Sequence, residues 1–331
     1  MRAVTIPKFG GPEVLALTNI FVPTPGAGEV TIDVAYAGVN YAEVLFRKGG
    51  VPDLPLPFVP GIEVAGTIRE IGEGVDEFRV GQPVAALTIV GGGGYAEVAK
   101  APARLVFPLD ERRTSEPELA AAAASPSNVT TAYMIMADAA RLQPGETVLV
   151  HAAAGGVGSA IGQMARAFGA GRVIGTVGSE DKIPYARSLG YDDVILRDSF
   201  KEQALERTDG RGVDVVVDPV GGQTRRTSLE LLKPLGRLIA MGNASDAADV
   251  VQSTNELWFS SKAVLGFNLQ LLSMYAPERV SRSAREALRL AGEGRIRVDV
   301  TDVLRLDDAA EAHRRIEQRS TTGKLVLKIN P

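Results

Sequence analysis

The 331-residue sequence contains no cysteine and only two histidines, His151 and His313. Disulfides, thiol nucleophiles, iron–sulfur clusters and thiolate zinc sites are therefore excluded, and so is a histidine-rich metal site. The sequence also lacks long runs of like charge and apolar stretches of membrane-spanning length, and its net charge is −4. We therefore expect no nucleic-acid partner and no membrane partner. Because the first residues carry no apolar signal segment, we expect a cytoplasmic protein.

What the sequence does contain indicates a folded protein with two kinds of domain. Hydrophobic residues make up 45% of the chain and charged residues 23%, so there is enough apolar surface for a core. The length suggests about two domains. Up to residue 115, short β-prone runs are separated by glycine and proline, which predicts an irregular, largely antiparallel β domain with one helix at 41–47.

From residue 116 onward, strand-like and helix-like segments alternate. The strand-like segments are apolar throughout, which is typical of a parallel sheet that is buried on both faces. The predicted fold class is therefore α/β, with a doubly wound nucleotide-binding domain. Its strands are predicted at 147–151, 172–177, 193–196, 213–218 and 235–241, with helices such as 157–168 and 181–189 between them.

After residue 260 the pattern is less regular. We predict a helix at 277–291, a strand at 295–300, a helix at 307–318 and a strand at 324–329. From these residues alone, the tail either extends the parallel sheet or returns to the first domain.

A glycine-rich turn follows the strand at 147–151 and precedes a helix. Ala153, Gly155 and Gly158 occupy the three fixed positions of the dinucleotide-binding pattern G-x-G-x-x-G. Gly155 allows the backbone to approach a pyrophosphate at the helix N-terminus, and Gly158 allows the helix to pack closely on the strand. The strand before the turn and the helix after it favour dinucleotide binding over an ordinary turn.

The end of the next strand, at 172–177, discriminates between NAD and NADP. An NAD site usually has a carboxylate there, and this strand offers none. Ser179 and Lys182 can instead hold a 2′-phosphate, and Arg197, just after the following strand, lies where it can reach the same group. The acidic residues Glu180 and Asp181 lie in the same turn, but the arrangement as a whole favours NADPH.

The residues at 144–158, Pro-Gly-Glu-Thr-Val-Leu-Val-His-Ala-Ala-Ala-Gly-Gly-Val-Gly, resemble the cofactor loop of the zinc-independent quinone oxidoreductases. These enzymes form the zeta-crystallin-like family of the medium-chain dehydrogenase/reductase superfamily. The resemblance extends over nearly the whole chain and includes the segments 38–43, 58–66, 218–222 and 323–327.

The resemblance implies a two-domain architecture and a homodimer. Residues 1–122 and 262–331 would form a GroES-like, mainly antiparallel β catalytic domain, and residues 123–261 a Rossmann NADP-binding domain. The tail would then return to the first domain. Zinc-dependent members of the superfamily have a cysteine ligand at the position of Asn40 and a histidine at that of Ile62, so zinc activation of a substrate is not expected here.

The resemblance also implies the site residues. Asn40, Tyr41 and Thr131 would be catalytic: Asn40 and Thr131 near the nicotinamide ring, and Asn40 or Tyr41 hydrogen-bonded to the acceptor oxygen. Asn40 and Thr131 have plainer alternatives, as a turn-capping amide and as a hydroxyl bonded to its own helix, and Phe267 has the alternative of a core residue. The NADPH-binding residues would be Asn40, Thr131, Ala154, Gly155, Gly156, Val157, Gly175, Ser179, Lys182, Arg197, Val220, Gly242, Asn243, Phe267, Leu269 and Lys324.

Two positions depart from the family pattern. Arg197 stands where members often carry a tyrosine, so a cation replaces an aromatic phosphate contact. Val51 stands where many members carry a tyrosine before the proline of the substrate loop, which predicts a more aliphatic acceptor pocket.

The predicted function is therefore zinc-independent hydride transfer from NADPH to a small-molecule quinone, with the cofactor supplying the chemistry. One alternative is NADPH-dependent reduction of the carbon–carbon double bond of enals, enones or enoyl thioesters, which needs a proton at the α-carbon. Another is a weakly catalytic NADPH-binding or RNA-binding protein, although the acidic charge balance disfavours RNA. Two further features are interpreted as structural: His151 as a buried histidine and Arg225-Arg226 as a solvated helix face.

Overall fold

The computed structural model describes residues 1–112 and 114–330, which form two compact units. The first unit comprises Met1–Thr130, Leu269–Arg289 and the segment from Val298 onward. The second comprises Thr131–Asn268 and Leu290–Arg297. The domain borders inferred above, at 122/123 and 261/262, stay a prediction.

The strands and helices of the described residues have the following bounds. The strands are β1 (Arg2–Thr5), β2 (Ala16–Asn19), β3 (Glu29–Val39), β4 (Glu63–Ile71), β5 (Pro83–Leu87), β6 (Val98–Pro102), β7 (Val106–Pro108), β8 (Thr147–Val150), β9 (Arg172–Val177), β10 (Asp193–Leu196), β11 (Val213–Asp218), β12 (Leu232–Ala240), β13 (Ala263–Gly266), β14 (Val300–Arg305) and β15 (Lys324–Lys328). The helices are α1 (Tyr41–Lys48), α2 (Glu116–Ala123), α3 (Pro126–Met134), α4 (Gly156–Ala167), α5 (Ile183–Arg187), α6 (Phe200–Arg207), α7 (Gly222–Leu231), α8 (Thr254–Ser260), α9 (Leu269–Tyr275), α10 (Pro277–Gly292) and α11 (Ala309–Glu317).

The second unit contains a six-stranded parallel sheet in the order β10-β9-β8-β11-β12-β13. Numbered from β8, this is the 3-2-1-4-5-6 order of a Rossmann sheet, which confirms the predicted doubly wound fold. The order reverses direction at β8, so the crevice for a dinucleotide lies at the carboxyl ends of β8 and its neighbours. Buried Leu149, Ile174 and Val216 belong to the core below that edge.

The first unit contains a seven-stranded sheet that is mainly antiparallel, which confirms the predicted second part of the fold. Its order is β14-β15-β3-β4-β5-β7, and β6 also pairs with β3. Strand β15 pairs antiparallel with β3, so the end of the chain returns to this sheet. Helix α1 starts directly after β3, and the Glu43 carboxylate accepts a hydrogen bond from the Asn40 backbone N–H at 2.8 Å, which caps the helix start.

The strand predicted at 295–300 is wrong. The extended pattern continues past it, and the strand that forms is β14, at Val300–Arg305. The amide side chain of Gln163 accepts a hydrogen bond from the backbone N–H of Arg297 and donates one to its carbonyl oxygen, at 2.8 and 2.9 Å. Both backbone groups of Arg297 are therefore occupied and not available for a strand ladder.

Candidate functional site

The turn between β8 and α4, residues 152–155, is shaped by its backbone. Ala152 adopts φ +55°, and its carbonyl oxygen accepts a hydrogen bond from the N–H of Gly155 at 2.9 Å. A methyl group added at Gly158 would lie 2.2 Å from the same carbonyl oxygen, so only glycine fits there. The turn thus brings in the N-terminus of α4, whose first N–H groups have no partner within the helix and are open to an anion.

The turn is seated on the neighbouring strand β9. The N–H of Ala153 donates to the carbonyl oxygen of Thr176 at 2.9 Å. A methyl group at Gly175 would lie 2.7 Å from the side chain of Ala153 and 2.8 Å from that of Tyr191. Gly175 therefore serves close packing between the turn and the sheet in this structure.

The residues predicted to select NADPH lie together at the ends of β9 and β10. Ser179, Lys182 and Arg197 are half-buried, whereas Glu180 and Asp181 are exposed. The guanidinium group of Arg197 lies beside Gly178, since a methyl group added there would be 3.7 Å from its Nη1 atom. Burial lowers the pKa of Lys182, and Asp181 opposes this shift. The ends of β9 and β10 thus carry two half-buried cations and a half-buried hydroxyl.

The loops after β11 and β12 bring Val220, Gly242 and Asn243 together. The carbonyl oxygens of Pro219 and Val220 accept hydrogen bonds from the loop after β12, at 3.0 and 2.9 Å. A methyl group at Gly221, which has φ +79°, would lie 2.2 Å from the Asn243 side-chain oxygen. The N–H of Phe267 donates to the carbonyl oxygen of Ala240 at 2.9 Å, so the end of β13 joins the same edge.

The interpretation of Arg225 as solvated is wrong. Its side chain is only 14% exposed, and its Nε atom lies 2.7 Å from the buried carboxylate of Asp218. The neighbouring Arg226 is exposed, as expected. A charged residue on a polar helix is usually solvated, and only the fold places Asp218 within its reach.

His151 is a buried structural histidine, as expected. Its Nδ1 atom lies 2.9 Å from the Thr176 hydroxyl and its Nε2 atom 2.8 Å from the Ser228 hydroxyl. Because the Ser228 hydroxyl donates to the carbonyl oxygen of Thr224, Nε2 carries the proton and His151 is neutral. Burial lowers the pKa of His151 to about 4, with a smaller opposing effect of Asp218.

In the first unit, Asn40 lies in a buried polar group that we term the Asn40 cluster: Asn40, Glu43, Glu63 and Lys324. The Asn40 amide nitrogen donates to Glu63 Oε1 at 3.0 Å, and its amide oxygen accepts from the Lys324 ammonium. Lys324 also pairs with Glu63 at 2.5 Å, and both side chains are at most 3% exposed. The side chain of Asn40 is thus held in one orientation from both of its ends.

Two carboxylates share the Asn40 cluster with one ammonium. Glu43 accepts from the backbone N–H of Ile62 at 3.0 Å, and Glu63 from that of Ser127 at 2.8 Å. Burial raises the pKa of Glu43 to about 7, Lys324 and backbone hydrogen bonds oppose this shift, and Glu63 adds to it. Near neutral pH the Glu43 carboxyl is therefore partly protonated.

A second buried polar chain lies behind α1. Arg47 is fully buried and donates to His313 Nδ1 at 3.3 Å and to the Gly10 carbonyl oxygen at 2.6 Å, and it pairs with Glu317 at 2.5 Å. Because His313 Nδ1 accepts from Arg47, its Nε2 atom carries the proton and faces the Tyr95 hydroxyl at 3.5 Å. Burial, and then the charge of Arg47, lower the pKa of His313 to about 3.

The remaining predicted residues lie at element starts or in helices. Tyr41 is the first residue of α1, Leu269 is the first residue of α9 and is buried, and Thr131 is buried within α3. Sequence reasoning missed Glu43, Glu63 and Arg225, although an acidic residue directly before the apolar Val64 and Ala65 of β4 is a signal for Glu63. Within the described ranges, no group of three or more histidine or carboxylate side chains could hold a metal ion. No helix in the same ranges is long and apolar enough to span a bilayer.

Family models match both parts of the chain. The model for the alcohol dehydrogenase GroES-like domain matches residues 26–111, and the model for the zinc-binding dehydrogenase matches residues 156–287. These two matches fall in the first unit and mainly in the second unit, respectively.

Full-length relatives agree with these matches. A probable quinone oxidoreductase of Schizosaccharomyces pombe is 34% identical, over 99% of this chain and 97% of the relative. A quinone oxidoreductase of Pseudomonas aeruginosa is 35% identical, over 98% of this chain and 99% of the relative. The Escherichia coli quinone oxidoreductase, solved in complex with NADPH, is 31% identical with a TM-score of 0.91, over 99% of this chain and 100% of that one.

Proposed function

We propose that this chain, which belongs to the quinone oxidoreductase family of the medium-chain dehydrogenase/reductase superfamily, transfers a hydride from NADPH to a quinone without zinc. As a family member it is an oxidoreductase, and its fold is one that binds nicotinamide cofactors. We propose three further properties: the cofactor is NADPH, the acceptor is a quinone, and the reaction needs no zinc.

The observation that carries the choice of NADPH is the half-buried group of Ser179, Lys182 and Arg197 at the ends of β9 and β10. A 2′-phosphate requires cations and hydrogen-bond donors, and two cations that are partly removed from water bind it better than exposed ones. The E. coli relative was solved with NADPH, which supports the same choice.

The residues of the turn and the strand ends divide the binding of the cofactor. We assign the pyrophosphate to the N–H groups of Gly156 and Val157 at the start of α4, where the helix dipole favours negative charge. We assign Thr131, Val220, Gly242 and Asn243 to the nicotinamide half of the cofactor. When bound, NADPH supplies the hydride from C4 of its nicotinamide ring.

The donor set of the Asn40 cluster does not fit zinc. Asn40 and Ile62 stand at the positions of the cysteine and histidine ligands, and the Asn40 amide is already bonded to Glu63 and Lys324. The ammonium of Lys324 repels a second cation at this place. We therefore propose a reaction in which no metal takes part.

The acceptor oxygen needs a hydrogen-bond donor, and the family pattern offers Asn40 or Tyr41 for this role. Both hydrogens of the Asn40 amide face carboxylates, since its nitrogen lies 3.0 Å from Glu63 and 3.5 Å from Glu43. We therefore assign Asn40 to positioning and the hydroxyl of Tyr41 to the acceptor oxygen. Reduction of a quinone makes no further demand for an acid, because the reduced oxygens take protons from water.

The test compares oxidation of NADPH and NADH with a benzoquinone, a naphthoquinone, a phenanthrenequinone and an α,β-unsaturated aldehyde. We expect turnover of a quinone with a higher kcat/KM for NADPH. Arg197→Met should reduce this preference about tenfold, whereas Arg187→Met, at an exposed arginine of α5, should leave it unchanged. Turnover of the aldehyde alone would show that the acceptor is an activated alkene and not a quinone. Binding of NADPH without turnover of any acceptor would contradict the proposed enzymatic activity.

The homodimer is part of the proposal and is supported by the edge of the parallel sheet. Strand β13 ends the sheet, and among the described residues no strand pairs with its outer side. Trp258 and Phe259 in the preceding helix α8 are stacked on each other and mostly exposed. An unpaired strand and exposed aromatic rings in the helix that precedes it favour pairing with a second copy around a twofold axis.

Sedimentation tests this interface. Trp258→Glu should convert the dimer to a monomer, whereas Phe21→Glu, at an even more exposed aromatic residue of the first unit, should not. A Trp258→Glu variant that remains dimeric would show that the interface lies elsewhere.

We expect the reaction in the cytoplasm, where NADPH serves as a reductant.

A further inference from the structure

Arg225 connects two loops that leave the parallel sheet side by side. Its Nε atom donates to Asp218 Oδ2 at 2.7 Å, and its Nη2 atom donates to the carbonyl oxygen of Gly242 at 2.6 Å. Asp218 is the last residue of β11, and Gly242 follows β12, whose last residue, Ala240, lies opposite Asp218 in the sheet. One planar guanidinium group therefore fixes the distance between the two loops.

Asp218 extends this connection into its own loop. Its Oδ1 atom accepts from the backbone N–H groups of Val220 and Gly221, at 2.7 and 3.0 Å. The carboxylate is fully buried and has hydrogen bonds on both oxygens. Asp218 thus holds the first turn of the loop after β11, and Arg225 holds Asp218.

The two loops also contact each other directly, so a shift of one moves the other. Asn243 packs on Gly221 so closely that no side chain fits at Gly221. Asn243 is held from behind, because its amide nitrogen donates to Ala247 at 2.8 Å and its oxygen accepts from Ser245 at 3.1 Å. The second anion near Arg225, Asp249 at 3.9 Å, is exposed and contributes little.

We propose that Arg225 is a positioning residue for the nicotinamide half of NADPH: through Asp218 and the Gly242 carbonyl group it sets the backbone around Val220, Gly242 and Asn243. This inference rests on the proposed function, which assigns these three residues to that half of the cofactor. Buried ion pairs contribute little net stability, so a bond to two loops at one sheet edge is better explained by the geometry it imposes there.

The experiment compares NADPH with adenosine 2′,5′-bisphosphate, which carries the 2′-phosphate but no nicotinamide. In Arg225→Met the Kd for NADPH should rise about tenfold, as for the loss of a charge-assisted hydrogen bond. The Kd for the bisphosphate, which depends on Ser179, Lys182 and Arg197, should stay within about twofold of wild type. Arg226→Met, at the exposed neighbour on the same helix, is the matched control and should change neither.

The conservative variant Arg225→Lys separates positioning from stability. Lysine keeps the charge beside Asp218 but cannot reach both partners in one plane, so an intermediate rise in the Kd for NADPH is expected. It also provides the measurement if Arg225→Met does not fold. The fluorescence of bound NADPH should shift toward its value in water.

The outcomes separate this inference from the proposed function. A wild-type protein that binds neither ligand overturns both. A wild-type protein that binds both, with variants that weaken both ligands equally, shows a general structural role for Arg225 and overturns the inference alone. Unchanged affinity for NADPH in both Arg225 variants also overturns it.

Discussion

The candidate functional sites of the two units are built from different kinds of chemical group. The Asn40 cluster of the first unit is built from side chains. Three of them, Glu43, Glu63 and Lys324, are buried ionisable groups. The turn at 152–155 in the second unit is built from backbone groups and glycines, and its cations lie half-exposed at neighbouring strand ends. Buried charges are costly when one partner is lost, whereas a backbone site fails when a side chain is added. Substitutions should therefore affect stability first in the Asn40 cluster and binding first in the turn at 152–155.

The strongest test of this difference is Lys324→Met. The substitution leaves the carboxylate of Glu63 buried without its ammonium partner, which we expect to cost about 3–5 kcal/mol in the free energy of unfolding. Lys328→Met on the same strand is the matched control, because its partner Glu116 is mostly exposed and the pair should contribute at most about 1 kcal/mol. Urea unfolding measures both.

The double variant Lys324→Met with Glu63→Gln sharpens the same test. Removing both charges should recover part of the loss, because position 63 then no longer carries an unpaired buried charge. Equal effects of Lys324→Met and Lys328→Met would show that Lys324 is solvated, and the contrast between the two units would fail.

The second test adds a methyl group to the glycines of the second unit. Gly155→Ala meets only the Ala152 carbonyl oxygen, at 3.3 Å, so the fold should tolerate it, while the methyl group obstructs the approach of a pyrophosphate. We expect the Kd for NADPH to rise about tenfold or more with little change in stability. Gly158→Ala meets backbone at 2.2 Å and should also cost about 1–3 kcal/mol of stability.

Gly292→Ala, with open space around the added methyl group, is the control for both glycine variants. Calorimetry of NADPH binding and thermal unfolding provide the two readouts. If the Gly155→Ala variant binds NADPH like wild type, the pyrophosphate does not bind at this turn.

The parallel sheet was predictable from sequence because its strands are continuous apolar runs with local boundaries. The segments 172–177, 193–196 and 213–218 are strands with the predicted ends. The tail was less predictable, since its apolar–polar alternation continues from 295 past 300. Only the hydrogen bonds of Gln163 to Arg297 decide which part becomes a strand.

The site shows the same limit. The glycine pattern and the residues at the end of β9 are local in sequence, so Gly155, Ser179 and Lys182 could be named, and their binding roles stay predictions. The partners of the Asn40 side chain on β4 and β15 and the partner of Arg225 on β11 belong to other elements, so no local pattern reveals them, whereas Glu43 is reached by the local capping pattern. Long-range ion pairs require the fold, because burial changes what a charged residue does.

The smallest expected effect is a difference in pH dependence between the units. Each unit has one buried neutral histidine, His151 or His313, whose pKa is lowered from 6.5 to about 4 or about 3. The unfolded chain takes up a proton at each histidine below pH 6.5 and the folded chain does not, so stability is lost as the pH falls from 6.5 toward these values. Glu43 has the opposite sign: its pKa is raised from 4.5 to about 7, so the stability present below pH 4.5 is lost as the pH rises toward 7.

Urea unfolding between pH 5 and 6 separates these contributions through variants. Each group should contribute about 1 kcal/mol per pH unit, positive for the histidines and negative for Glu43. His151→Gln should therefore flatten the rise of stability with pH, whereas Glu43→Gln should steepen it by the same amount. The slope decides, because both variants also lose hydrogen bonds that shift stability at every pH. An unchanged slope in Glu43→Gln would mean that Glu43 is ionised throughout this range. The Asn40 cluster would then hold two ionised carboxylates and one ammonium, with a net charge of −1.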